Sequence, residues 1–142
     1  MAEWLWSRLG VKAALLRNSR LLLLQRRDDL ELWPGLWDLP GGGVEKDGTL
    51  LGTLVREVRE ETGFGVRVGR VLDVSFEWVK VRAEPRFPST VVSFLCATKS
   101  RASPRLDRSE HSDFAWVSKR ELGKTAVVPR LQRAMESAFP SC

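Results

Sequence analysis

Residues 40–63 constrain this chain more than any other stretch. Pro40-Gly41-Gly42-Gly43 interrupts regular structure, and Thr49–Thr62 then reads as a helix. Asp47 and Thr49 offer N-terminal caps, and Gly63 supplies a left-handed stop just past the last turn. Three successive glycines let the backbone adopt conformations closed to other residues and pass close to a ligand. On a wheel, Leu51, Leu54, Val55, Val58 and Thr62 fall in one arc of about 100°, the expected packing face. Glu57, Glu60 and Glu61 fall in a separate arc, because spacings of three and four bring side chains onto a shared surface. Carboxylates so placed repel one another, and a cation relieves the repulsion. Hard oxygen ligands suit Mg2+ or Mn2+ rather than zinc. A solvated face with Arg56 and Arg59 pairing the acids has the same spacing, so on spacing alone both readings stand.

Around this segment the pattern is mostly that of strands. Val11–Leu16 and Leu21–Arg26 are apolar runs joined by Arg17-Asn18-Ser19-Arg20, which predicts a β-hairpin. Asp28–Trp37 is a polar, Trp-containing loop broken at Pro34-Gly35. Phe64–Arg82 alternates apolar and polar residues as one long strand or two short ones, and a loop containing Pro85 and Pro88 leads into a strand at Thr90–Lys99. Ser100–Ser112 reads as a mobile polar loop, Asp113–Val117 as a short strand, and Val128–Phe139 as a closing helix from its apolar spacing. Strands dominate and two helices must cover the sheet, so the expected class is α+β or an α/β/α sandwich.

A chain of 142 residues has room for one core, and a single domain over residues 1–142 is expected. The apolar fraction of 43% and charged fraction of 29% are those of a globular protein rather than a disordered one. No apolar run approaches the roughly 20 residues needed to span a bilayer. The first residues carry no basic segment before an apolar stretch, so no secretory signal is expected. Cys96 and Cys142 make neither a disulfide framework nor a zinc site, which points to a reducing, cytoplasmic setting. The net charge of +5 comes from 17 Arg and 6 Lys, and the planar guanidinium fork suits phosphate oxygens. Arg67, Arg70, Lys80, Arg82 and Arg86 alternate with acids instead of forming a stripe, so a nucleic-acid partner is not expected.

The segment Gly42–Phe64, GGVEKDGTLLGTLVREVREETGF, closely resembles the Nudix box: Gly42, Arg56, Glu57, Val58, Glu60, Glu61, Gly63 and Phe64 all match. One position departs, Gly48 standing where the family usually has Glu. Further likeness lies in Leu21–Arg27, in Gly35–Gly42 and in Glu110-His111-Ser112-Asp113-Phe114-Ala115-Trp116-Val117, so that it spans roughly residues 10–140. The resemblance implies a Nudix-type α/β/α sandwich with a mixed central sheet and hydrolysis of a diphosphate bond in a nucleoside diphosphate linked to another group. It implies Glu57, Glu60, Glu61 and the Gly41 carbonyl as ligands of Mg2+, with Mn2+ able to substitute. Arg56 is read as orienting a box glutamate, and either Glu60 or Glu110 as the base that takes the proton of the attacking water. Arg27, Trp37 and Gly42 are candidates for substrate binding, and Trp33, Phe76 and Trp78 for stacking on a base. His111 reads as a hydrogen-bonded turn residue and Cys96 as core.

Marks of narrower groups are sparse. There is no tyrosine, as dinucleoside polyphosphate hydrolases often have after the box, and Pro85 and Pro88 stand far along for an ADP-ribose hydrolase. By elimination the chain most resembles (deoxy)nucleoside triphosphate pyrophosphohydrolases. An ADP-ribose or nucleotide-sugar pyrophosphatase is the alternative. A non-catalytic nucleotide- or RNA-binding module of the same fold is a further one, although such modules usually lose box glutamates and this chain keeps all three. Either a monomer or a homodimer is compatible with the sequence.

Overall fold

The computed structural model describes residues 2–141; Cys142 lies outside them. The hairpin forms as predicted, β1 (Arg8–Arg17) and β2 (Arg20–Arg26) meeting at Asn18 and Ser19. Both turn residues are left-handed, with φ of 53° and 61°, the conformation whose twist matches that of the flanking strands. The two strands pair only at Leu16↔Leu21 and Arg17↔Arg20 and then diverge. The rest of β1 runs parallel to β6 (Phe87–Ala97), while its first half also pairs antiparallel with β4 (Gly41–Gly43). β2 is flanked by β3 (Trp37–Asp38) and β7 (His111–Val117), and β5 (Arg67–Val79) edges the sheet beyond β6. One parallel pairing among antiparallel ones makes the seven-stranded sheet mixed.

Leu21, Leu22, Leu23 and Leu24 are all fully buried. Leu21 and Leu23 join Leu131, Met135 and Phe139 on one face, and Leu22 and Leu24 join Leu54 and Val58 on the other. Successive strand residues point to opposite faces, so a continuous apolar run fits a strand covered on both sides. The layers are therefore α/β/α, with α1 (Leu50–Thr62) on one face and α3 (Gln132–Ser137) on the other. Each buried leucine contributes about 1.5–3 kcal/mol. Cys96 is buried in the core on the α1 side. Among the described residues no helix is long and apolar enough to cross a membrane.

α1 begins and ends where the caps predict. Thr49 Oγ1 accepts a 3.1 Å hydrogen bond from the Gly52 N–H, and Gly63 is left-handed at φ 82°. Its packing face differs from the wheel. Leu51 is 52% exposed, lying in the first turn, whereas Glu61 is buried. Seven residues bring Glu61 back to within about 20° of Leu54, so it belongs to the face that meets the sheet.

Other elements depart from expectation for local reasons. The glycine break is itself a short strand, β4, held to Gly10, Val11 and Lys12. Pro88 lies inside β6 rather than in the preceding loop; β1 pairing starts only at Arg8↔Ser89, so the proline sits where β6 has β5 alone as neighbour. The stretch after β6 is irregular but tied down: the Arg105 N–H donates to the Thr62 carbonyl, and Arg17 donates to the carbonyls of Ser100 and Ala102. The closing helix is split, a 3-10 turn at Pro129–Leu131 preceding α3. A further helix, α2 (Lys119–Leu122), starts at a Ser118/Glu121 capping box that the sequence displays but that the apolar pattern passes over.

Candidate functional site

The split between β1 and β2 opens a cleft of about 310 Å3, lined by Lys12, Gly41, Gly42, Glu57, Glu61 and Glu110 among others. One wall is backbone. Gly41 has a φ of 153°, and a Cβ there would collide with the Val11 carbonyl oxygen. At Gly42 a Cβ would stand 2.8 Å from Glu57 Cδ. At Gly41 the backbone of β1 leaves no room for a side chain, whereas at Gly42 the neighbour is the flexible Glu57.

The opposite wall is acidic. Glu61 is 3% exposed, and its Oε2 accepts a 2.7 Å hydrogen bond from the Gly41 N–H. Loss of hydration lifts its carboxyl to about 9, against the opposing pull of Lys12 and the Gly41 N–H, and the Glu110 carboxyl pushes it further the same way. Burial, and then the Glu60 charge, also raise the Glu57 carboxyl. Glu110 comes in from the loop before β7, and ligating atoms of Glu61, Glu110 and His111 lie within 4.8 Å of one another.

The cleft also has a cationic side that the sequence reading missed. Asp38, 2% exposed, receives Lys12 at 3.2 Å and Arg26 at 3.1 Å. Lys12 donates as well to the Leu39 carbonyl at 3.1 Å. Two cations fixed on one buried carboxylate leave excess positive charge facing the acids. The available signal was a charged residue, Lys12, inside the apolar run Val11–Leu16, and Asp38 between Trp37 and Leu39.

His111 is hydrogen-bonded as expected only through its backbone, the N–H donating to the Asp107 carbonyl across the preceding turn; the ring is not. It opens β7, is 3% exposed, and its Nδ1 has no hydrogen-bond partner among the described residues. Burial lowers its pKa, favouring the neutral ring.

Gly41, Gly42, Glu57, Glu61 and Glu110 thus converge, and the other candidates stand apart. Glu60 is 54% exposed and paired at 3.5 Å with Arg56, which also reaches Glu57 at 3.5 Å. Arg27 forks onto Asp29 at 3.0 and 2.9 Å and donates to the Arg108 carbonyl, in a neighbouring depression that shares His111 with the cleft. Trp37 packs beside Leu36 against the core on the α3 side and does not line the cleft.

Two carboxyls raised by burial, a third beside them and an orphaned imidazole form a donor set that fits a divalent cation. The chain belongs to the NUDIX domain family, whose model matches residues 6–138. It is 30% identical over 111 residues to the nucleoside triphosphatase NudI of Escherichia fergusonii, covering 75% of this chain and 79% of that one. The crystal structure of a MutT protein from Methanosarcina mazei superposes with a TM-score of 0.75 at 25% identity, over 95% of this chain and 94% of that one. An ADP-ribose pyrophosphatase from Streptococcus suis shares the fold at a TM-score of 0.66 and 24% identity, over 96% of each chain. The protein is accordingly a Nudix-type pyrophosphohydrolase acting on nucleoside diphosphate derivatives, and Nudix enzymes generally use divalent metals.

Proposed function

We infer that the chain cleaves (deoxy)nucleoside triphosphates to the monophosphate and pyrophosphate, with Mg2+ as the working ion and Mn2+ able to replace it. The observation that carries this is the buried Glu61 carboxyl flanked by Glu57 and Glu110: three acids line one cleft, where a bound cation offsets their mutual repulsion. Glu57 and Glu61 would hold the ion, with Arg56, 3.5 Å from Glu57, steadying it from outside. When bound, the ion neutralises charge on the phosphate oxygens and lowers the pKa of water.

The chain's own groups do the rest. Lys12, held by Asp38, faces the acids and supports the phosphate that enters between them. Glu110 takes a proton from the attacking water as its oxygen bonds to phosphorus and the bridging phosphorus–oxygen bond breaks, releasing the monophosphate. Its place in the cleft favours it over Glu60, whose exposed carboxylate is engaged by Arg56. A second hollow, of about 740 Å3, is walled by Trp33, Trp78, Phe87 and Glu77. Leu30 lines the cleft and its neighbour Glu31 lines the hollow, so one loop connects the two. Flat aromatic walls there suit a stacked base.

A panel of nucleoside triphosphates, ADP-ribose and nucleotide sugars, scored for pyrophosphate against monophosphate products, tests this reading. Pyrophosphate release from triphosphates, abolished by chelator, is expected. Turnover confined to the diphosphate-linked sugars, or indifferent to chelator, contradicts it.

A further inference from the structure

His111 is the chain's one histidine, and nothing in the hydrolysis proposed above uses it. A buried polar atom ordinarily has a partner, yet Nδ1 of this 3% exposed ring has none among the described residues. One ring nitrogen shares a 4.8 Å span with carboxylate oxygens of Glu61 and Glu110, so an ion on Glu61 comes within reach of the ring while Glu110 stands beside it. The backbone around the ring is well held. The His111 N–H donates to the Asp107 carbonyl, and His111 pairs across to Arg26 in the sheet.

The geometry points to His111 as a nitrogen ligand of the ion on Glu61, with Glu110 left free beside it, so that this cleft binds Mn2+ more tightly than Mg2+. The inference rests on the metal-dependent reading above and adds a nitrogen ligand and, with it, a tighter hold on Mn2+ than on the Mg2+ that serves as the working ion. Mg2+ keeps to oxygen donors and sheds water reluctantly, whereas imidazole is a good ligand for first-row transition ions. An all-carboxylate site has no comparable means of discriminating between the two.

The test is pulsed electron paramagnetic resonance on Mn2+ bound to the tag-free protein, prepared once with natural nitrogen and once with nitrogen-15 histidine. With a single histidine in the chain, the label marks one ring. Nitrogen modulation that changes isotope with the label is expected. In His111→Gln the modulation should vanish and Mn2+ affinity should fall about tenfold or more, with Mg2+ affinity changing less than about twofold. The labelled wild type stands alone if that variant does not fold. Mn2+ bound without nitrogen modulation overturns the role of His111 and leaves the metal-dependent reading intact. No Mn2+ binding at all overturns both.

Discussion

The Gly41 N–H and the Glu61 carboxylate, 2.7 Å apart, join the first residue of β4 to the last turn of α1. That bond fixes a buried acid against a strand whose next glycine leaves its side-chain space to Glu57, so backbone and side chains of the cleft are positioned by one another.

Glu61→Gln keeps the shape and an acceptor for the Gly41 N–H but removes the charge. Cation-free stability near neutral pH should rise, because the fold no longer has to take up a proton at Glu61, and kcat should drop by about 10³, since losing a metal ligand forfeits several kcal/mol at the transition state. Steady-state rates and Mn2+ titration measure this; a variant with near-normal turnover excludes Glu61 as a ligand.

Cation-free protein should lose stability as pH rises. Folding lifts the Glu61 carboxyl from 4.5 to about 9, so between those values the folded state holds a proton that the unfolded chain has released, and stability falls through the interval. Below about pH 6.5 the buried His111, its pKa lowered, works in the opposite sense; from about pH 7 to about pH 9 melting curves in chelator should move steadily downward, and added Mn2+ should reverse the loss at the alkaline end. A melting temperature that climbs over this range is the contrary result.

Glu110→Gln and Glu60→Gln separate the two candidate bases. Loss of a general base costs about 10²–10⁴ in kcat, and that loss is expected for Glu110. Glu60, exposed and paired with Arg56, should change kcat by less than about tenfold. The reverse ranking would move the base to the helix.

Gly42→Ala places a methyl 2.8 Å from Glu57 Cδ. Glu57 must swing aside, so metal affinity should weaken about tenfold while the sheet persists. A binding isotherm indistinguishable from wild type would mean that Glu57 holds no ion.

Trp33→Ala strips one wall of the larger hollow. A stacked base gains about 1–3 kcal/mol from an aromatic partner, so KM should rise about 10- to 100-fold with kcat nearly unchanged. An unchanged KM would place the base elsewhere.

Much of this could be read in the sequence, where local rules apply. The caps at Thr49 and Gly63, the leucine run and the three- and four-residue spacing of the glutamates are short-range features, and the structure keeps them. The contacts that were missed join distant segments. Lys12 meets Asp38 only because β1, β2 and β3 are brought together, and His111 is buried only because β7 pairs with β2. The same limit explains Glu61: periodicity grouped it with Glu57 and Glu60, whereas packing against the sheet separated it from the exposed Glu60.

The run Leu21–Leu24 has a consequence for strand pairing. In a strand with one wet face, sliding by a single residue throws greasy groups into water and is forbidden on that ground alone. Here both sides are dry, so the same slip would merely trade leucines between two cores, and oiliness gives no veto against it. The alignment of β2 must instead be enforced at its polar ends, by the tight Asn18-Ser19 bend at one and by Arg26 gripping Asp38 at the other. The ionic knot beside the acids therefore also serves as the stop that keeps the central strand from sliding.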